Sequence, residues 1–328
     1  MGRGAFCIGI MKIGPVQLAC PVVLASMEEH THYYFRLLMK RHGASLVCGE
    51  RVDAADVARR DRRALRLLYT QPDEAPRSGQ ISGADPAVMA EAARVVEELG
   101  FNLVDLNFEC PIRRLLGRGE GGALMADPPA IGRIVQAVAR AVTIPVTVKI
   151  RSGPDAQRET AGEAACRAEQ AGAAAVEVHA RSVQQAYAGG PDLDVIARVK
   201  RQVRIPVLGS GGIRQACDVP RFLAASGADA AAIARGSLGN PWIFREARAL
   251  WSGGATVAGP TPAQRGRVLV ELIEGEFHLY GPIVARRRLP RTSCYYAKFL
   301  PGFPAFRQAV QKVETLAQFR RLVKEHFR

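Results

Sequence analysis

A chain of 328 residues with 48% hydrophobic and 23% charged residues has the composition of an ordinary folded protein, long enough for one large domain and a small one. Its formal net charge of +14 is not ordinary and predicts a polyanionic partner, nucleic acid first and an anionic membrane surface second. No apolar run approaches the roughly 20 residues that span a bilayer, and seven scattered cysteines without a C-x-x-C pair argue against a disulfide framework or zinc site and for a reducing, cytoplasmic setting.

The opening run Met1–Ile10 is apolar but lacks signal-peptide architecture, and Gly2 is without the downstream Ser or Thr of a myristoylation site. Met11 is an alternative start, because a strand-like pattern begins only after it. Short β-branched runs then alternate with Ala-rich stretches of helical period. Val22–Ser26 is the first expected strand. Ala44–Cys48 is the second, followed by Arg59, Arg60, Arg62, Arg63 and Arg66. Ser78–Ser82 carries Gln80, and the helix Pro86–Leu99 stops at Gly100.

Leu103–Asn107 runs into Asp105-Leu106-Asn107-Phe108-Glu109-Cys110-Pro111, the stretch that says most about chemistry. It delivers a thiol to a proline-marked strand end beside Arg113, Arg114 and Arg118, a setting for a reactive cysteine. A packing cysteine is the other reading, and most of the seven are expected to be buried. Gly117-Arg118-Gly119-Glu120-Gly121-Gly122 matches G-x-G-x-x-G. No strand directly precedes it and no acidic residue lies about 20 positions on, so a mobile substrate-side loop is expected rather than a dinucleotide site.

The alternation continues with the helix Pro128–Ala141, the strand Val146–Ile150, the helix Ala161–Ala171 and the strand Ala175–His179. Leu193–Arg201, Val207–Ser210, Cys217–Ala225 and Ala230–Ala234 complete it. Eight strands with intervening helices predict a (β/α)8 TIM barrel over residues 1–250, with a doubly wound open sheet as the rival. Ser252 to Pro262 reads as a linker. Only helices follow: Pro262–Leu279, Ile283–Phe299 with a kink or break near Pro290, Pro304–Val313 and Thr315–Phe327. They form an expected small helical domain over residues 260–328.

Barrel active sites form where the strands end. The ends here carry Ser26 and Met27, Gln80, Asn107 with Cys110, Lys149 with Arg151, and His179 with Arg181. A solvated strand end explains any one of them; together they point to a site. The seventh and eighth ends, Gly209-Ser210-Gly211-Gly212 and Ala234-Arg235-Gly236, lie where barrels bind phosphate through backbone N–H groups. Glycine clears the approach and Arg235 adds charge, so a phosphate-bearing cofactor is expected, and no metal.

At this point the chain resembles the tRNA-dihydrouridine synthase family of FMN-dependent barrels, closely over roughly residues 20–250 and loosely in the helical tail. Met27 to Arg36 is similar to M-x-G-x-T-D-x-x-F-R, and Gln80-Ile81-Ser82-Gly83 to Q-[IL]-x-G. Asn107 to Pro111 resembles N-x-G-C-P. Lys149-Ile150-Arg151 and His179-Ala180-Arg181 match K-x-R and H-x-R, and Arg235 with Pro241-Trp242-Ile243-Phe244 resembles the closing run. Departures are Ser26 for Pro, Glu29 for Gly, His32 for Asp, Glu109 for the Gly before the cysteine, Ala234 for Gly, and Ser210-Gly211-Gly212 for Asn-Gly-Asp. Those at Ser26, Glu29, His32 and Glu109 bear on the substrate more than on the cofactor.

The resemblance implies reduction of the uridine C5–C6 double bond in tRNA, with NADPH reducing bound FMN, hydride passing from flavin N5 to C6, and Cys110 protonating C5 as general acid. It implies that Lys149 stabilises negative charge on the reduced pyrimidine ring and that Gln80 bonds the ring edge. His179, Gly211, Gly212 and Arg235 hold the phosphate end, with Ser26, Met27, Ser210 and Ala234 also at the cofactor. Asn107 and Arg181 orient the target uracil or its phosphate. The charge surplus gives candidate RNA contacts at Arg286, Arg287, Arg288, Arg291 and Lys298, and along Arg59–Arg66. A monomer is expected. Two other readings stay open: an FMN barrel acting on a free pyrimidine or another small enone, and a non-catalytic RNA-binding paralogue.

Overall fold

The computed structural model describes residues 11–255 and 257–328; the expectations placed on Met1–Ile10 and Cys7 lie outside them. A two-stranded antiparallel hairpin comes first, β1 (Met11–Ile13) and β2 (Val16–Leu18). It was not among the expected strands, because three-residue strands are too short to show a period. Eight parallel strands then close into a barrel: β3 (Val22–Leu24), β4 (Val47–Asp53), β5 (Arg77–Ser82), β6 (Leu103–Asn107), β7 (Val146–Arg151), β8 (Ala175–His179), β9 (Val207–Ser210) and β10 (Ala230–Ile233). β10 pairs with β3 as well as β9, so no edge is left open and the doubly wound alternative is excluded.

The apolar runs form strands because helices cover them outside while the barrel fills inside. Asp85, Asp127 and Asp192 cap three of the covering helices by accepting backbone N–H bonds at their first turns. Inside, Ile13 and Leu18 of the hairpin join Val23, Leu103, Ala175, Leu208 and Ala230, residues near the strand starts, in one buried cluster. The hairpin therefore plugs the end of the barrel opposite the strand ends. The second strand lies later than expected, reaching through Glu50 and Arg51. Both charged residues are buried there, Glu50 against the Glu29 N–H (2.6 Å) and Arg51 against Ser82 Oγ (2.8 Å).

Beyond the barrel, a helix runs over Pro262–Ala297, opened by a Thr261–Gln264 capping box. It is broken at Gly281 (φ 75°, ψ 170°), between the two helices expected to end at Leu279 and begin at Ile283, and the further break expected near Pro290 is not there. Glycine reaches that backbone without a Cβ clash, and Pro282 just after it begins a new segment where no N–H is required. The helix continues through Pro290. Phe303–Val310 and Leu316–His326 follow. The long helix lies against the first covering helix, Tyr33–Arg41: a Cβ on Gly275 would fall 2.3 Å from the Tyr34 ring, so only glycine fits there. Gly239, just past β10, meets the backbone of Tyr295 in the same way, which brings the far end of the long helix to the barrel mouth. Among the described residues no helix is long and apolar enough to cross a membrane.

Candidate active site

Parallel register sets the inward-facing side chains in three stacked rows. Gln80, Asp105 and Thr147 are neighbours across β5, β6 and β7; above them come Asn107, Lys149 and Glu177; above those, Arg151, His179 and Ser210. The lowest row is closed by hydrogen bonds. Gln80 Nε2 and Thr147 Oγ1 each donate to Asp105 at 2.6 Å. Burial pushes the Asp105 carboxyl up against those two bonds. Asp105 thereby fixes the Gln80 amide, whose Oε1 accepts from Asn107 Nδ2 at 3.0 Å.

Asn107 links this row to the thiol. Its Oδ1 accepts the backbone N–H groups of Glu109 (3.2 Å) and Cys110 (3.0 Å), which sets the turn after β6. Cys110 is buried at 8% exposure, on the wall of a cleft of about 300 Å³ at the strand ends. Burial raises its thiol pKa, and the opposing pull of Arg51 does not outweigh that. The group is a thiol at neutral pH, as a proton donor must be. In the segment expected as a substrate-side loop, the last two glycines pack against the cysteine itself. Gly122 N–H donates to Cys110 O at 3.0 Å, and a Cβ on Gly121 would stand 3.1 Å from the same oxygen. These glycines let a short turn back directly onto the cysteine.

The middle row is ionic. Lys149 Nζ lies 2.9 Å from Glu177 Oε1 and 3.3 Å from Glu109 Oε1, and Glu109 Oε2 lies 3.3 Å from His179 Nδ1. Burial opposes the Lys149 charge, but the two carboxylates overcome it and hold the ammonium above the usual lysine range. Glu109 is likewise opposed by burial, yet Lys149, His179 and Arg151 hold its carboxyl far below the usual carboxylate range. His179 is pushed down by burial, so its ring is neutral at pH 7.

At the other end of the cleft, Gly211 (φ 117°) and Gly212 (φ 82°) follow β9 in conformations that L side chains rarely adopt. A Cβ on Gly212 would meet Pro191 at 2.9 Å, and one on Gly211 would meet His179 at 3.2 Å. Neither N–H donates a hydrogen bond among the described residues. Exposed Arg214 and Arg235 line the same end. Free N–H groups, guanidinium charge and absent side chains are what a phosphate tail needs, and the ionic row offers a donor for the polar edge of a flat ring.

Of the residues read from the sequence, Ser26, Met27, Gln80, Asn107 and Cys110 line this one cleft. Lys149, His179, Ser210, Gly211, Gly212, Ala234 and Arg235 do so as well. Arg181 stands behind it, 3.4 Å from His179 Nε2, with its guanidinium spent on Gly189 O at 2.8 Å. Arg286 and Arg287 are exposed on the long helix outside the cleft, while Arg288 and Arg291 reach its rim and bind Glu29. Sequence reading missed Tyr187, held between Arg151 and Arg235 with each guanidinium 5.5 Å from its ring centre. An aromatic residue just before Gly189-Gly190 was the available signal. It also missed Arg51 and His30, whereas Tyr295, expected from the sequence to pack on the barrel or stack on a base, is carried to the cleft by the tail. Cys20 and Cys48 are packed inside, but Cys166 and Cys294 are half-buried and Cys217 is exposed. Among the described residues no group of three or more His, Cys, Asp or Glu side chains is placed to hold a metal ion.

Residues 23–327 match the family model described as "Dihydrouridine synthase (Dus)". A tRNA-dihydrouridine synthase B of Pseudomonas aeruginosa is 38% identical over 321 residues, covering 96% of this chain and 92% of that protein. One from Xanthomonas campestris is 35% identical over 97% of this chain and 96% of its own length. A probable tRNA-dihydrouridine synthase of Rickettsia conorii is 34% identical, over 92% and 91%. Among solved structures, a 2-naphthoyl-CoA reductase matches with a TM-score of 0.57 at 14% identity, covering 75% of this chain and 52% of that one. Histamine dehydrogenase from Rhizobium sp. 4-9 matches with a TM-score of 0.57 at 10% identity, over 81% and 50%. These two speak for the barrel fold alone.

Proposed function

The chain belongs to the dihydrouridine synthase family, and on that premise we propose that it reduces uridine to 5,6-dihydrouridine in tRNA, with FMN in the cleft and NADPH as the electron source. The observation that carries this reading is the order of groups along one cleft. A thiol kept protonated by burial, a buried ammonium and a glycine–arginine cradle open on the same space.

FMN, when bound, supplies the hydride equivalent that saturates the uracil ring, recharged by NADPH. The residues of the chain do the rest. Gly211 and Gly212 offer their N–H groups and Arg235 its charge to the phosphate. Gln80, fixed by Asp105, would bond the ring edge, and Lys149 would face the pyrimidine end. Ser26, Met27, Ser210 and Ala234 close the cofactor walls. Cys110 gives its proton to uracil C5, and the thiolate left behind faces Arg51, whose charge eases the transfer. Asn107 keeps that thiol in place through the two backbone bonds of its turn.

A uridine tucked into folded RNA must be extruded to reach this depth. We assign the RNA-binding work to the helical segment 260–328 and to the exposed arginines, in a cytoplasmic monomer.

The test is direct. Purified protein is given FMN, NADPH and unmodified tRNA transcripts, and nucleosides are read by mass spectrometry. The expected result is yellow protein and dihydrouridine at a defined position. Protein that takes up no FMN defeats the reading, and turnover of free uracil or a small enone in place of RNA would replace it.

A further inference from the structure

Glu109 stands where the resembling motif has glycine, and its carboxylate is built into the cleft wall. One oxygen lies 3.3 Å from Lys149 Nζ and the other 3.3 Å from His179 Nδ1. Its own carbonyl accepts from Arg151 Nε at 2.7 Å, which holds the backbone in place beneath it. Lys149 does not need this partner to remain charged. Glu177 is closer, at 2.9 Å, and sits directly across the β7–β8 ladder. A second buried carboxylate adds a desolvation cost that one ammonium does not repay in full. With both acids ionised, the Lys149 trio carries one net negative charge rather than none. Glu109 is a fixed anion, because Lys149, His179 and Arg151 outweigh burial and hold its carboxyl down, while Glu177 stays in place as the cross-ladder partner of Lys149.

We propose that Glu109 is a built-in counter-anion that competes with the cofactor for Lys149 and His179, and so sets the affinity and the reduction potential of the bound flavin. The proposal rests on the flavin reading above and deepens it. On that reading Lys149 is the cation that would face the pyrimidine end of the ring. That end gains negative charge on reduction, so a fixed anion 3.3 Å from the same ammonium weakens the reduced form more than the oxidised one. Glu109 touches Lys149 and His179 rather than the uracil, so it is a positioning residue. A glycine at this position would leave the Lys149 ammonium and the His179 ring facing the cleft without that carboxylate.

The experiment measures two quantities on the flavin-loaded protein, for the parent, Glu109→Gln and Glu109→Gly. One is the FMN dissociation constant, by fluorescence quenching on reconstitution. The other is the midpoint potential, by equilibration with a reference dye. Both variants are expected to bind oxidised FMN more tightly than the parent. They are expected to favour the reduced form by a further factor of about 10 to 100, which at 29.6 mV per tenfold for a two-electron couple is a rise of roughly 30–60 mV. Glutamine keeps the shape, so a shift there reports charge. Glycine tests the same point should glutamine misfold. FMN bound with a midpoint potential equal to that of the parent in both variants overturns the role of Glu109 and leaves the flavin reading standing. Failure of the parent and both variants to take up FMN overturns the flavin reading itself, and this proposal with it.

Discussion

Arg291 Nη1 lies 2.5 Å from Glu29 Oε2, a contact that joins the long tail helix to the loop after the first barrel strand. Arg288 also reaches this loop, donating to the Glu29 carbonyl, while its guanidinium sits 4.8 Å over the Tyr280 ring and 3.6 Å from buried Glu276. Glu29 has φ 63°, a conformation glycine adopts more easily, so the loop is held in a strained backbone by partners from the tail. The same loop lends Ser26, Met27 and His30 to the cleft. The tail is thus part of the active-site wall.

The two arginines are expected to differ sharply in what they contribute. Arg288 is 14% exposed and faces a Glu276 side chain that is 2% exposed, so Arg288→Ala is expected to cost about 3–5 kcal/mol, toward the low end because His32 and Thr292 still contact Glu276. Arg291 and Glu29 are 40% and 62% exposed, so Arg291→Ala is expected to cost less than about 1 kcal/mol. Urea unfolding of the two variants checks the ranking, and equal losses would refute it.

Cys110→Ala is expected to leave FMN content and NADPH oxidation by the flavin close to the parent and to cut uridine reduction by about 10²–10⁴. In the proposed mechanism only the step that protonates C5 uses the thiol. The pH dependence has a definite sign. The acid form is the active one and burial raises its pKa above the ordinary value of 9.0, so the parent rate is expected to hold through neutral pH and to fall only on the alkaline side. Single-turnover rates across pH test this, and a rate that rises with pH through 9 would assign the cysteine another role.

How far the sequence carried can be judged from particular residues. The eight barrel strands were legible because parallel strands covered on both faces read as apolar runs, and Cys110, Lys149 and His179 stood out as polar groups ending such runs. The hairpin that plugs the barrel was not legible, being two strands of three residues each. The boundary at Gly281 was legible, since one helix was expected to end at Leu279 and the next to begin at Ile283; the further break near Pro290 did not appear, because the helix absorbs that proline without leaving helical backbone. The fates of Arg288 and Arg291 were hidden for another reason. Each reads as a cation free for RNA, and the acid that binds Arg291 lies 262 residues away in sequence.

Gly212→Ala is expected to empty the cofactor site without unfolding the barrel. At φ 82° an alanine is strained, and its methyl group would approach Pro191 at 2.9 Å, which deforms the cradle proposed to hold the phosphate. FMN content after purification and the concentration needed for reconstitution measure this. Arg235→Gln is expected to act more mildly, since it removes charge and keeps the backbone. Full FMN occupancy in Gly212→Ala would mean that phosphate is bound elsewhere.

Stability is expected to fall on mild acidification, and two histidines account for part of it. Burial lowers His30 to about 4, helped by Arg291 and Arg288, and lowers His42 to about 4, helped by Arg245. In the unfolded chain both titrate near 6.5. Below that pH the unfolded state takes up protons that the native state refuses, so stability is full above about 6.5 and declines as pH falls toward 4. His42→Phe keeps the edge contact with Trp242, whose ring lies 5.2 Å away, and is expected to flatten the decline by one proton's share. Urea midpoints at several pH values between 4 and 7 give the slope, and a slope unchanged by the substitution would remove His42 from the account.

The salt dependence of tRNA binding separates arginines that bind RNA from those that build the protein. Each phosphate contact releases counterions, so each lost contact flattens the log–log slope by roughly 0.7–0.9. Arg287 is exposed and has no acidic partner within 4 Å among the described residues, and Arg286 has only a distant one, Glu314 at 3.9 Å. Replacing both with Gln is expected to reduce the slope by about one to two units without emptying the flavin site. Arg291→Gln is expected to leave the slope nearly unchanged, because that side chain is engaged by Glu29. The arginines after β4 divide the same way. Arg59 pairs with Asp56 and Arg60 with Glu98, whereas Arg62, Arg63 and Arg66 have no such partner among the described residues. If the Arg286/Arg287 variant keeps the parent slope while one lacking Arg62, Arg63 and Arg66 loses it, the RNA runs along the barrel rim beside β4, and the tail serves the active site chiefly by holding Glu29.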